Sequence, residues 1–140
     1  MRQILLFAAL AASLALLSGC ALSKAKEDKA EDMTDKAAYH KLSAEEAYEM
    51  MASQEVVVVD VRTREEYDGG HIENAVLVPN ESIGSEIPEA LPDKEATLLV
   101  YCRSGRRSKD AAQKLLELGY QSVYDFGGVI DWPYELVKEG

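Results

Sequence analysis

The apolar run Leu98-Leu99-Val100-Tyr101 leads straight into Cys102-Arg103-Ser104-Gly105-Arg106-Arg107-Ser108, and a helical pattern follows at once. A strand is thus expected to deliver one cysteine into an arginine-rich turn. The helix beyond begins with unpaired backbone N–H groups and the positive end of its dipole, and both should face the thiol. That setting favours the thiolate. A thiolate on the floor of a loop whose N–H groups converge is a nucleophile and a small anion bowl at once, and chemistry on an anion that donates an electrophilic atom needs both. Cys102 is therefore the candidate catalytic residue, and Arg103, Ser104, Gly105, Arg106, Arg107 and Ser108 are the candidate substrate cradle. The three arginines are expected to lower the cysteine pKa and hold the anion. Gly105 allows tight curvature, and Ser108 is expected to cap the helix.

Upstream of this stretch, Val56-Val57-Val58-Val59-Asp60-Val61 is an almost continuous β-branched run, the pattern of a parallel strand covered on both faces. Active sites of open α/β sheets sit beyond the carboxyl ends of such strands. Asp60 and Arg62 stand there and are expected in a supporting role, as an ion pair that fixes the following turn with Glu65 or Glu66 as candidate further partners; direct substrate contact is the alternative. Thr63 to Asp68 makes a short helical turn ended by Gly69-Gly70, and Ala75 to Val78 is a second strand stopped by Pro79. His71 has no serine or cysteine beside it and reads as a structural hydrogen-bonding residue. Further back, Ser43 and Glu46 form a capping box that opens a helix through Met51, with Tyr48, Met50 and Met51 expected in the core.

In residues 80–95, Ile83, Ile87 and Leu91 recur at helical spacing between prolines 88 and 92, which predicts one or two short helices and a loop. Ala96 to Tyr101 reads as the central strand. The helix after the cysteine turn should run to about Leu118, packing Ala111, Ala112, Leu115, Leu116 and Leu118, and end at Gly119. Ser122 to Phe126 is another strand, closed by Gly127-Gly128. A last short helix is expected around Val129 to Val137, with Trp132 closing the core. The alternation implies a right-handed, mostly parallel α/β sheet of four to five strands.

The N-terminus has a different character. Met1-Arg2-Gln3 is a short positive start, and Ile4 to Leu17 is apolar except for Ser13, too short for a comfortable span of about 20 residues but suited to a secretory signal. Leu17-Ser18-Gly19-Cys20 then resembles the lipobox of bacterial lipoproteins. The resemblance implies removal of residues 1–19, lipidation of Cys20 and an extracytoplasmic protein held on a membrane through its acyl chains. The rest of residues 20–38 is a Lys-, Glu-, Asp- and Ala-rich tether that spans roughly 25 Å as a flexible coil, and residues 39–140 form the domain. With Cys20 at the signal and Cys102 in the loop, no structural disulfide is expected. A net charge of −10 makes nucleic-acid binding through phosphates a poor fit. Two distant histidines and one loop cysteine do not make a metal site, and no cofactor is expected.

From Tyr39 to Gly140 the chain resembles the rhodanese sulfurtransferases. The resemblance rests on Leu42-Ser43-Ala44-Glu45-Glu46, Asp60-Val61-Arg62, Glu66-Tyr67 through Gly70-His71-Ile72 and Ala75, Tyr101 through Ser108, and Gly127-Gly128 with Trp132, in that order and spacing. It implies a rhodanese-like fold of about five strands, mostly parallel, with helices on both faces, and an active loop of six residues, Cys102 to Arg107. It also implies that Cys102 takes a sulfane sulfur from thiosulfate or a low-molecular-weight persulfide and passes it to cyanide or a thiol. Phosphatase or arsenate-reductase chemistry is the nearest rival. Tyrosine-phosphatase-like loops place five residues between cysteine and arginine, whereas only four separate Cys102 from Arg107, and the smaller bowl suits sulfur better. A second rival is a sulfur-relay or binding module that presents Cys102 to a protein partner without turnover.

Overall fold

The computed structural model describes residues 38–139. The signal-like segment, Cys20 and the tether up to residue 37 lie outside the described residues. Five strands, β1 (Ala38–Lys41), β2 (Val57–Asp60), β3 (Val76–Leu77), β4 (Thr97–Cys102) and β5 (Ser122–Gly128), form one sheet in the order β1-β5-β4-β2-β3. Every neighbouring pair is parallel. Three helices, α1 (Ala44–Ser53), α2 (Arg64–Asp68) and α3 (Arg106–Glu117), connect and cover it.

Alternation along the strands divides the core in two. Leu98, Val100 and Cys102 of β4 face one side with Val59 and Val123, and there they meet Ala111, Ala112 and Leu115 of α3. Leu99 and Tyr101 face the other side with Val58 and Phe126, against Ala47 of α1 and Tyr67 of α2. Leu98 to Cys102 are all essentially inaccessible to solvent, as expected of the middle strand of a sheet covered on both faces.

Capping chemistry sets the helix starts. Ser43 and Glu46 form the reciprocal capping box of α1, and Thr63 and Glu66 repeat it for α2, where Gly69 is the C-cap. At the end of β2, Asp60 accepts from the Arg62 backbone N–H at 2.9 Å and from its guanidinium at 2.7–3.1 Å. Asp60 also accepts the Tyr101 hydroxyl at 2.7 Å, and Arg62 Nη2 donates to the Gly70 carbonyl at 2.7 Å. Burial comes first in pushing the Tyr101 phenol well above its usual range, and the Asp60 charge adds to it. The pair does fix the turn. Neither Glu65 nor Glu66 joins it.

Several features depart from the sequence pattern. β1 was not expected: its four residues are exposed and show no apolar alternation, and backbone pairing to β5 holds the strand. Residues 80–95 contain only a 3-10 turn at Asn80–Ser82, because the prolines interrupt any longer helix; Ile83 and Leu91 are buried regardless, and Ile87 is exposed. The last helix is likewise only a 3-10 turn, Val129–Asp131, after which Val137 forms an antiparallel bridge with His71. Pro133 removes a donor in that region, and the chain exchanges helical bonds for two to His71. Tyr48 is 45% exposed rather than core, stacked on Tyr134 with ring centroids 3.9 Å apart. Trp132 is half-buried against Phe126 and Tyr134, and its Nε1–H has no partner.

The buried pair gives a stability prediction. Arg62→Met removes the guanidinium from the Asp60 carboxylate and is expected to cost about 3–5 kcal/mol, read by urea unfolding at neutral pH; a loss below about 1 kcal/mol would show that Tyr101 and the residue-62 backbone N–H suffice for Asp60.

Candidate active site

Cys102 is the last residue of β4, 1% exposed, and a free thiol. The β4–β5 register shifts between Val100 and Cys102, so that Cys102 pairs with Gly128. Such irregularities re-aim a side chain at the end of a strand. Gly105 then turns back in the left-handed region at φ 99°, and its N–H donates to Cys102 Sγ at 3.0 Å.

The loop closes because β5 ends in glycine. A Cβ on Gly128 would lie 2.0 Å from the Arg103 carbonyl oxygen and 2.5 Å from the Ser104 nitrogen. The Ile130 N–H donates to that same Arg103 carbonyl at 3.2 Å. The backbone of β5 thus forms the outer wall of the turn, at a distance no side chain permits.

The thiol is held below its usual pKa. Burial alone would raise it; the N–H and hydroxyl of Ser108 and the N–H groups of Gly105 and Ser104 together overcome that, with the Gly105 N–H at hydrogen-bond distance from the sulfur. Ser108 lies at the third helical position, so its N–H is one of the unpaired donors of the first turn. Gly105, not Ser108, is the N-cap of α3. The Ser108 hydroxyl makes its shortest contact, 2.7 Å, with Asp125 Oδ1, and we assign its one proton there. Asp125 is fully buried and also accepts from Tyr39 and Lys41 of β1 and from the Gly127 N–H. Burial works against the Asp125 charge, but these donors outweigh it and hold the carboxyl below the usual range.

The arginines divide. Arg106 and Arg107 belong to the first turn of α3, so the cradle is part loop and part helix. Arg103 and Arg106 are exposed. Arg107 is tied to Glu66, Nη1 to Oε2 and Nη2 to Oε1, both at 2.8 Å. This bond comes first in lowering the Glu66 carboxyl to about 2. The thiolate is therefore supported chiefly by backbone N–H groups, not by the arginine charge expected from composition. Glu66 thus joins Arg107 and not the Asp60–Arg62 pair. Its capping-box spacing was visible, but its partner lies 41 residues away.

Asp60 and Arg62 are brought to the same end of the sheet but on the other face from Cys102, since Asp60 bonds Tyr101 while Cys102 packs with α3. Their role is to hold the frame. His71 is buried, stacked on Tyr67 at 3.6 Å, with Nδ1 2.8 Å from the Tyr67 carbonyl oxygen. A groove of about 390 Å³ beside the loop is lined by Arg62, Arg103, Glu65, Glu66, Val129 and Ile130 among others. The larger cavity, about 960 Å³, lies between α1 and Trp132 and includes no residue of the loop.

The family model for the rhodanese-like domain matches residues 43–133. The chain belongs to the rhodanese-like domain family. Among curated relatives of this family, a tRNA uridine(34) hydroxylase of Yersinia pestis (strain Pestoides F) is 32% identical over 106 residues, covering 72% of this chain and 30% of that protein. The chain thus spans about a third of the length of the curated relatives it matches. Among solved structures, a rhodanese with anions from E. coli is 37% identical with a TM-score of 0.54, covering 59% of this chain and 98% of that one. A human single-domain sulfurtransferase is 27% identical with a TM-score of 0.59, covering 66% and 93%. The all-parallel five-stranded sheet with helices on both faces is the rhodanese-like fold.

The N–H cradle makes reactivity pH-dependent in a stated direction. Alkylation of Cys102 by iodoacetamide should show a midpoint below the ordinary thiol value of about 8.5. Gly128→Ala pushes the Arg103–Ser104 backbone away, and that midpoint should move back up while circular dichroism remains native. An unchanged midpoint in a folded variant would mean that the cradle does not depend on this contact.

Proposed function

We propose that the chain is a sulfurtransferase in which Cys102 carries a sulfane sulfur. The observation that carries this reading is the buried Cys102 Sγ, with Gly105 N–H 3.0 Å away and a lowered pKa. The thiolate attacks the outer sulfur of thiosulfate; the new S–S bond forms as the old one breaks, and sulfite leaves with the electron pair. The charge arriving on the outer sulfur meets the N–H groups of Ser104, Gly105 and Ser108, which are already in place and need no reorganisation. The lone pair of cyanide or a thiolate then bonds the outer sulfur, the S–S bond breaks, and Cys102 Sγ keeps its electron pair and is regenerated as the thiolate. Low-molecular-weight persulfides fit the same sequence of steps. The bowl requires no metal or cofactor for this chemistry.

Arg103 and Arg106 are the exposed cations for the incoming anion. The tRNA hydroxylase name belongs to much longer proteins, and a chain of net charge −10 offers little general attraction for nucleic-acid phosphates. A relay module without turnover is the second reading. Its support is Ile130, 63% exposed directly beside the loop, where a protein partner would find an apolar contact. We also propose that Cys20 carries the lipid and that the domain works outside the cytoplasm on a membrane. The support for this is the Leu17-Ser18-Gly19-Cys20 stretch after an apolar segment.

Incubation with thiosulfate should add the mass of one sulfur atom to the Cys102 peptide, and added cyanide should remove it as thiocyanate; Cys102→Ser should abolish both. Loading without release to any small acceptor would favour the relay, and no loading with thiosulfate or glutathione persulfide would end the sulfur-transfer reading. In cell fractionation, Cys20→Ala should shift the protein from the membrane to the soluble extracytoplasmic fraction, and unchanged membrane attachment would remove the anchor.

A further inference from the structure

Arg107 closes the six-residue stretch, yet its guanidinium is already occupied. The fork to Glu66 uses both terminal nitrogens at 2.8 Å, the geometry in which a guanidinium most fully engages a carboxylate. Glu66 is itself held in place. Its Oε2 also accepts the Thr63 N–H at 3.0 Å, and Thr63 Oγ1 accepts the Glu66 N–H at 3.2 Å, so the start of α2 fixes the carboxylate that reaches the loop. Both side chains are less than a third exposed. Arg107 stands in the first turn of α3 beside Ser108, at the helix end that faces Cys102, and the Cys102 charge is among those that raise its pKa further. An anion arriving at Cys102 therefore meets three arginines but only two uncompensated charges.

We propose that Glu66 is a positioning residue that sets the charge selectivity of the Cys102 site. By occupying Arg107 it withdraws one cation from the incoming donor, and donors of low charge then compete with dianions such as thiosulfate. This rests on the sulfur-transfer reading for the identity of its donors. The selectivity itself belongs to the thiolate and is measurable without any sulfur donor.

The test uses the full chain and two reagents, iodoacetamide and iodoacetate, with alkylation followed on the Cys102 peptide by mass spectrometry so that Cys20 does not interfere. With either reagent Sγ attacks the methylene carbon, the S–C bond forms, and iodide leaves with the electrons of the C–I bond. The two differ chiefly in charge. The ratio of their rate constants on one protein at one pH cancels changes in thiolate fraction and general loosening of the loop. Glu66→Gln keeps an acceptor for the Thr63 N–H but frees Arg107, and should raise the iodoacetate-to-iodoacetamide ratio about fivefold. The gain should fade in about 1 M salt and disappear in Glu66→Gln/Arg107→Gln. If Glu66→Gln fails to fold, Glu66→Ala carries the same test, because the Thr63 hydroxyl caps residue 66 through its backbone N–H.

Sulfur loading gives the second readout: in Glu66→Gln the KM for thiosulfate should fall with kcat little changed. An unchanged alkylation ratio, or a raised ratio that survives removal of Arg107, overturns the inference. A shifted ratio in a protein that no donor loads would keep the charge inference and overturn the sulfur-transfer reading. Normal loading with an unshifted ratio would do the reverse.

Discussion

The turn at Cys102 exists because two backbones touch. With no side chain on Gly128, β5 passes so close to the Arg103 carbonyl that a methyl group would overlap it, and the loop curls inward. From that contact follow the left-handed turn at Gly105, the N–H bond to Sγ, and the start of α3 at Arg106. The donors that steady the thiolate are main-chain groups, so substitutions of the loop side chains leave them present as long as the curve is kept. Side chains add a brace behind them. Asp125 ties Ser108 of α3 to Tyr39 and Lys41 of β1, across the strand that supplies Gly127 and Gly128. Burying that carboxylate is costly, and four donors are what offsets the cost.

The sheet separates two kinds of polar chemistry. On the α3 face lies a thiol in an N–H cradle; on the other, Asp60, Arg62 and Tyr101 form a closed network with every charge partnered. The network secures the Gly70 carbonyl and, through the Ile72 N–H to Tyr101 Oη, the start of the segment that leads into β3. Its acidic member is thus kept away from the nucleophile by a layer of backbone. The carboxylate on the Cys102 side, Asp125, is enclosed by four donors, the Ser108 hydroxyl among them, while Asp60 on the far face fixes the frame.

What was legible in the sequence was local. Strand, cysteine turn and helix follow one another between Thr97 and Glu117, so periodicity and glycine placement outline them; the Ser43–Glu46 box and the Val56 run are read the same way. What was not legible was held by distant partners. β1 has no apolar pattern because it is an edge strand, secured by backbone pairing and by Asp125 more than 80 residues on. Ile83, Ile87 and Leu91 mimic helical spacing, but prolines fix the backbone there, and two of the three find the core from irregular chain. Within the site, the cysteine and its glycine were plain, whereas the pairing of Glu66 with Arg107 could not be read from spacing. Counting three arginines overstated the positive charge for that reason.

A thiolate held by main-chain donors is a different kind of site from one held by arginines. A thiolate stabilised mainly by arginines would lose its advantage as salt rises, because exposed charges are screened within about a Debye length. A thiolate on a residue that is only 1% exposed, with the Gly105 N–H 3.0 Å from its sulfur, is screened much less. The exposed Arg103 and Arg106 then act mainly on the approach of a charged partner, and the backbone on the stability of the bound sulfur. Capture and holding are assigned to different groups, which lets the first vary through surface residues while the second stays fixed by the fold. Glu66 stands at the junction: it reaches from α2 to the one arginine placed to serve both roles, and its carboxylate leaves that arginine to brace the loop.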